Sequence, residues 1–362
     1  MNEKENVGQA ALLSNVVNQG LCTGCGACTE LCPYMKNHNA ETVALFSCDR
    51  DEGRCFSYCP RIPTDWDELK NSLFNMTDLT EELGAFKGMY MARSADTEIQ
   101  KKAQHGGTVS TLVKLALKEG LVEGFVLADK GEDMLPKSIT VYKAEDAIKC
   151  SGSKFGNAPT VGEFNRVSAL GRKSFGVVAT PCQARALGKM KTHSSENDRE
   201  RVEKLKLVIG LFCGWTLDWR KLNAMVKRAI GTKELLGLDI PPSKHACMEI
   251  TTSEGVIEIP IDEVNDCARG CCDFCTDMTA ELADISIGAA RSKDGWITDK
   301  NWNQVIVRSE SGQKLFDLAK ERGLLEFKDL PEENINKIKA ACLGKQRYGH
   351  KMMDQLNNSL GA

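Results

Sequence analysis

The chain has 362 residues, 16 of them cysteine, and its 47 basic and 50 acidic side chains leave a net charge of −3. That length holds a small domain plus one or two sizeable cores. The interspersed charges exclude the one-sided basic footprint of a nucleic-acid binder, and no apolar run reaches the roughly 18–20 residues that span a bilayer. The opening MNEKEN has no apolar signal segment, so a cytoplasmic, reducing setting is expected. Sixteen cysteines there point to metal or redox work rather than crosslinks.

Residues 7–20 predict a short helix leading into LCTGCGACTELCP, which places Cys22, Cys25, Cys28 and Cys32 in C-x2-C-x2-C-x3-C-P. Cys48, Cys55 and Cys59, the last again before proline, follow. This is the bacterial ferredoxin run: three thiolates from tight turns reach three corners of one cubane, and the cysteine before proline serves a neighbouring cluster. Cys59 therefore completes Cys22, Cys25 and Cys28. Cys32 joins Cys48 and Cys55 around a second site that is one cysteine short, because Ala44 and Leu45 stand where a ligand is expected. That second cluster is a three-iron species, a four-iron cluster with a borrowed ligand, or absent. Zinc is disfavoured, since its sites use paired C-x2-C knuckles.

Arg61–Phe86 reads as a polar connector with a helix capped by Thr64 or Asp65 and apolar at Trp66, Leu69, Leu73 and Phe74. A domain boundary is placed near Gly84–Gly88, dividing the chain into 1–84, the cluster segment and connector, and 85–362. Beyond it the texture becomes α/β: strand GMYMARS, a helix from Thr97, then strands GFVLADK and SITVYKA. Between the helix and the second strand, Gly106-Gly107 breaks one helical pattern and opens another. Free backbone N–H groups beside Thr108 and Ser110 could hold a phosphate there, although a Gly-Gly pair is more often only a helix break. CSGSKFGNAP offers a second anion site from Ser151, Gly152, Ser153 and Lys154, against the simpler reading of a solvated turn.

Strand Phe175–Ala179 leads into Thr180-Pro181-Cys182 at the start of a helix, and strand Leu205–Leu211 ends at Cys213. Both cysteines lie at carboxyl ends of strands, where ligands of open α/β sheets collect. A hairpin turning at Glu254-Gly255 forms an edge or a small second sheet. In CARGCCDFC, Cys272 and Cys275 form a C-x2-C pair; joined by Cys182 and Cys213 they supply four thiolates for another cubane. Cys271 is the rival to Cys272. Cys150, Cys247, Cys267, Cys271 and Cys342 otherwise read as structural by default, a reading preferred to Cys267 or Cys150 serving as a borrowed ligand of the second site. The histidines lack ligand spacing, and His105 beside the Gly-Gly turn reads as a surface or capping residue. The tail from Gly312, including KQRYGHK, reads as a charged, solvated helical cap.

The pieces AQHGGTVSTLV, KCSGSKFGNAP, VVATPCQARAL, VIGLFCGW, CDFCTDMTAELADISIG and DGW run in order from about Met89 to Val307. In them the chain resembles the beta subunits of coenzyme F420 hydrogenases and dehydrogenases. The resemblance implies a largely α/β fold, written α/β (α+β), with a small N-terminal ferredoxin-like cluster domain ahead of a larger flavin-binding domain and a helical tail. It implies FAD, held by Gly106, Gly107, Thr108, Ser110, Ser151, Ser153 and Lys154 with Thr180 and Pro181. It also implies a four-iron cluster on Cys182, Cys213, Cys272 and Cys275, so that the chain carries two [4Fe-4S] clusters, or three with the second N-terminal site. The N-terminal segment is the larger form known from F420H2 dehydrogenase input subunits, with a seventh cysteine and no eighth. The loop between Gly288 and the strand VIVRS is longer than in the hydrogenase subunits.

The implied activity is conversion of two-electron into one-electron transfer. A hydride is exchanged between FAD and the deazaflavin F420, and single electrons pass through the clusters to a partner subunit of hydrogenase, formate dehydrogenase or heterodisulfide reductase type, or to ferredoxin. The runner-up is a ferredoxin-dependent reductase of an organic substrate, as in hydroxymethyl chlorophyll a reductase. A third reading is a relay subunit without a substrate pocket.

Overall fold

The structure, a computed structural model, describes residues 7–241, 246–290 and 301–359. DGW and most of the loop after Gly288 lie outside the described residues.

The N-terminal segment has little regular structure because its turns present sulphur inward. A helical turn Gln9–Leu12 continues into the π-helical stretch Leu13–Val17, where a helix is expected. Strands β1 (Met35–His38) and β2 (Glu41–Ala44) form an antiparallel hairpin. In the connector, helix Trp66–Leu73 starts at Asp65, whose carboxylate accepts the N–H groups of Asp67 and Glu68. Leu69 is buried and Trp66, Leu73 and Phe74 pack on the core, the stripe that the sequence spacing predicts. A short pair, β3 (Leu79–Thr80) and β4 (Gly84–Ala85), ends this part.

The remainder is built on one mixed sheet. Its strands are β5 (Gly88–Ser94), β6 (Gly124–Asp129), β7 (Lys137–Val141), β8 (Phe175–Ala179) and β9 (Leu205–Leu211). A separate three-stranded antiparallel sheet of β10 (Leu235–Asp239), β11 (Cys247–Thr252) and β12 (Gly255–Pro260) contains the expected hairpin. The chain then returns through β13 (Ile285–Ala289), β14 (Asn303–Val307) and β15 (Leu325–Lys328). The spatial order is β15-β5-β14-β13-β9-β8-β6-β7. Strands β6, β8, β9 and β13 run parallel, so their carboxyl ends share one edge. Strands β8 and β14 are buried throughout, as central strands covered on both faces must be.

Helices Thr108–Lys118 and Glu310–Glu321 cover one face of the sheet. Helices Thr160–Ser168 and Pro181–His193 cover the other, where Cys25, Ala27 and Tyr58 of the N-terminal segment enter the same core. The tail departs from the expected solvated cap. It contributes β15, paired to β5, and a 28-residue helix Glu332–Ser359 in which Cys342 and Gly349 are buried. Among the described residues no helix is long and apolar enough to cross a membrane.

Candidate functional site

Three groups of cysteines form, all of them free thiols. Cys22, Cys25, Cys28 and Cys59 line one small apolar pocket with Leu12 and Val16. Cys32, Cys48 and Cys55 form a second group nearer the surface: burial pushes the Cys55 thiol up, and Cys32 and Cys48 add to it. Cys32 itself is exposed. The third group is Cys182, Cys213, Cys272 and Cys275, whose members act on one another electrostatically. Burial raises Cys25, and Cys182 is the next cause, so the first and third groups stand side by side.

Local sequence sets each sulphur. Thr180 and Gln183 form a reciprocal capping box at the start of helix Pro181–His193, which fixes Cys182 in the first turn with the Thr180 hydroxyl 3.3 Å from its Sγ. Cys213 follows β9 and is tied by its N–H to the Met278 carbonyl at 2.9 Å. Cys272 receives the Thr216 N–H at 3.4 Å. The Cys271 hydrogen bond, together with the Thr216 contacts and the Arg269 guanidinium, holds the Cys272 thiol down against burial, and Cys271 is pushed up in turn. Of the rivals, Cys272 is the one that acts on Cys182 and Cys213.

The turn Cys22–Thr29 is gripped by its carbonyls from the α/β body. Asn157 Nδ2 donates to Gly24 O at 2.7 Å and Asn165 Nδ2 to Thr29 O at 2.8 Å. Arg269 donates to the carbonyls of Thr23, Cys22 and Ala40 at 2.8, 3.1 and 3.2 Å. Arg61 reaches the other way, to Phe274 O and Cys271 O, both at 2.5 Å. Its Nε–H is buried and has no partner among the described residues. Lys345 of the C-terminal helix donates to Cys213 O at 2.6 Å and Gly214 O at 2.7 Å. Sequence reasoning missed all these residues, because their partners lie far away along the chain. Cys267 packs with Met225 in the small-sheet core and Cys150 lies beside the Asp146 carbonyl, packing environments in keeping with the structural reading of both.

The donor chemistry suits iron–sulfur clusters. Among the described residues no three His, Cys, Asp or Glu side chains are placed to hold a single metal ion, whereas a cubane carries each thiolate on a separate iron and asks for wider spacing. Burial pushes Cys28, Cys59 (to about 11) and Cys213 up, and thiols bind a metal as thiolates, so loading such a site releases protons. Arg61 and Arg269 meet carbonyls and sulphur where structural cations usually meet carboxylates.

The anion-site residues gather at the same sheet edge. Gly107 takes φ +77° as the cap of helix Thr108–Lys118. Thr108 is buried, and its N–H donates to Asn303 Oδ1 at 3.1 Å. Gly106 packs against the same Asn303 side chain. The two predicted segments are joined, with Ser110 Oγ 2.9 Å from Ser151 Oγ, and Ser153 hydrogen-bonds Gln104. The Lys154 ammonium is held by the carbonyls of Cys150, Ser151 and Gly152 at 2.8–2.9 Å, so it braces its own loop.

A ferredoxin-type turn docked on an α/β body, with thiols collected at the strand ends, defines a protein of the iron–sulfur class; residues 15–35 match the 4Fe-4S binding domain. Residues 89–162 and 172–333 match the N-terminal and C-terminal models of the coenzyme F420 hydrogenase/dehydrogenase beta subunit. The chain belongs to that family. It is 34% identical over 254 residues to coenzyme F420 hydrogenase subunit beta of Methanothermobacter thermautotrophicus, covering 69% of this chain and 87% of that one. It is 26% identical to the coenzyme F420-dependent sulfite reductase of Methanocaldococcus jannaschii, over 90% of this chain and 51% of that one. Its fold matches a chain of the F420-reducing [NiFe] hydrogenase complex of Methanosarcina barkeri with TM-score 0.69 and 25% identity, covering 76% of this chain and 94% of that one.

Proposed function

We propose that this oxidoreductase subunit exchanges a hydride between bound FAD and coenzyme F420 and passes single electrons through its clusters to a partner subunit. The observation that supports this is that the first and third cysteine groups lie near one another, Cys25 packing in the same core as helix Pro181–His193, which carries Cys182. FAD supplies the conversion of an electron pair into single electrons. Ser110, Ser151 and Ser153 would offer hydroxyls to its phosphates beside the Gly106-Gly107 helix start, with Thr108 fixed by Asn303 and Lys154 bracing the loop, while Thr180 and Pro181 would keep the cofactor against the third group. Cys182, Cys213, Cys272 and Cys275 would ligate one [4Fe-4S] cluster, and Cys22, Cys25, Cys28 and Cys59 another. Cys32, Cys48 and Cys55 would form the exit site. Leu12 and Val16 exclude water from the first pocket, and the amide and guanidinium clamp keeps its turn rigid.

The sulfite reductase similarity supports the reading of a module. This chain aligns with half of that enzyme, as an electron-input unit joined to different chemistry does. The test is anaerobic: iron, sulfide and flavin are quantified, then reduced F420, NADH and reduced ferredoxin are added separately while flavin and cluster absorbance is followed. Rapid bleaching by reduced F420 alone is expected. Bleaching by ferredoxin but not by F420 would overturn the proposal and favour an organic substrate.

A further inference from the structure

Three of the eleven large apolar side chains exposed among the described residues stand together on the N-terminal hairpin. Tyr34 and Phe46 meet edge to face with ring centres 6.1 Å apart, and the Leu45 N–H donates to the Tyr34 carbonyl at 2.7 Å. Tyr34 follows Cys32 by two residues and Phe46 precedes Cys48 by two, so these contacts draw the segments of both cysteines together. Cys32 itself is exposed. The surface is fixed from beneath: Gln9, 4% exposed, donates from Nε2 to the Phe46 carbonyl at 2.9 Å and accepts the Cys48 N–H on Oε1 at 2.8 Å. A lid over the cysteines would turn its apolar side inward, as Leu12 and Val16 do at the first pocket. Leu45 and Phe46 instead stand 53% and 65% exposed, as side chains do that meet a second surface.

Charge gives the chemistry of that second surface. After Cys48 the chain exposes Asp49, Arg50, Asp51 and Glu52, and Asp49, three residues from Phe46, lies within about 11 Å of it. The neighbouring cations are engaged elsewhere, Lys36 with Glu30 and Arg54 with Asp198, both at 2.8 Å. An apolar centre with an acidic flank fits a basic rim, and a second copy of this chain would bring like charges to the contact.

We propose that Tyr34, Leu45 and Phe46, with the acidic run 49–52, form the docking surface for a one-electron acceptor protein whose contact face is apolar and rimmed by lysine and arginine. The inference rests on the reading of Cys32, Cys48 and Cys55 as the exit site. One electron leaves the reduced cluster there and enters the acceptor's redox centre, with no bond made or broken and no proton moved. Docking here sets the acceptor against Cys32, the exposed cysteine of the group.

The test uses the full chain purified anaerobically, reduced with dithionite and desalted, so that it is independent of the electron donor. In stopped flow it is mixed with cytochrome c, a basic one-electron protein, and separately with p-benzoquinone, which is small and neutral. Wild type is expected to reduce cytochrome c at a second-order rate that falls as salt is raised. Leu45→Ser combined with Phe46→Ser should slow this about tenfold. Asp49→Asn, Asp51→Asn and Glu52→Gln together should remove the salt dependence. Neither variant should change the rate with benzoquinone. An unchanged cytochrome c rate in the serine variant overturns the proposal, as does a wild-type rate that does not fall with salt. Equal slowing with both acceptors at full iron content also overturns it, marking the patch as a cover of the cluster. A wild-type dimer that the serine variant disperses would overturn it in favour of a second copy. Cytochrome c reduction untouched in Cys48→Ser would instead overturn the exit-site reading beneath it.

Discussion

Asp198 shows how a single side chain seats the cysteine turns. Its Oδ1 accepts from Arg54 Nη1 at 2.8 Å and Arg201 Nε at 2.7 Å, and its Oδ2 accepts from Arg201 Nη2 at 2.7 Å and from the Tyr58 hydroxyl. Burial alone would raise its pKa, yet the Arg201 and Tyr58 hydrogen bonds hold it to about 2. A carboxylate depressed in the folded state contributes stability that is complete above the unfolded value near 4 and is lost as pH falls towards 2. The contribution is on the order of 2 kcal/mol. Asp198→Asn should therefore lower the thermal midpoint of the anaerobic protein at pH 7, and the gap to wild type should narrow as pH falls below about 4; a gap independent of pH would count against the ionised network. None of this was legible in the sequence, where ENDRERVE reads as an ordinary charged helix and Tyr58 lies 140 positions away.

At the scale of elements, the parts read correctly were those with local signatures. Strand β8 is a continuous apolar run and β9 one interrupted only by the exposed Lys206, helix Trp66–Leu73 has its cap and its stripe, and helix Thr108–Lys118 begins at the Gly-Gly pair. Gly107 is required there: a Cβ would lie 2.7 Å from Ile99 Cγ2, and φ +77° is strained for any L side chain. Gly107→Ala should cost about 1–2 kcal/mol in chemical denaturation and reduce bound flavin; unchanged flavin content would remove the helix start from the cofactor site. The C-terminal helix was legible as a helix, but its charge pattern says nothing about the one face that packs. At Gly349 a Cβ would meet Cys275 O and Thr276 Cγ2, both at 2.8 Å. Gly349→Leu should push the helix off the Cys272–Cys275 loop, lowering iron per chain by one cluster's worth while the first-site signal persists. Full iron content in that variant would show the helix to be the cap that its sequence suggests.

Across the whole molecule, the spacing of the cysteines was legible but the docking of the N-terminal turn on the α/β body was not. Spacing along the chain establishes which thiols share a turn; it carries no information about which surface of the α/β body that turn rests on. The joint is made by Asn157, Asn165 and Arg269 from the body and by Arg61 in return, and its polar atoms are backbone carbonyls that every sequence possesses. Arg269 is the test of that joint, since it holds three carbonyls of the N-terminal segment while its charge faces Cys271, Cys272, Cys22 and Cys182. Arg269→Ala leaves these buried acceptors to water or to nothing, at roughly 1–3 kcal/mol for each one left unsatisfied. The first and third sites should then separate without either losing its thiols. Under reduced F420, bleaching assigned to the third site should keep its rate while bleaching of the first slows, and protease cleavage in the connector between residues 60 and 88 should accelerate. Coincident loss of both phases with iron would instead mean that Arg269 holds up the clusters themselves. Unchanged kinetics with unchanged cleavage would mean that the two lobes are joined chiefly through their shared apolar core.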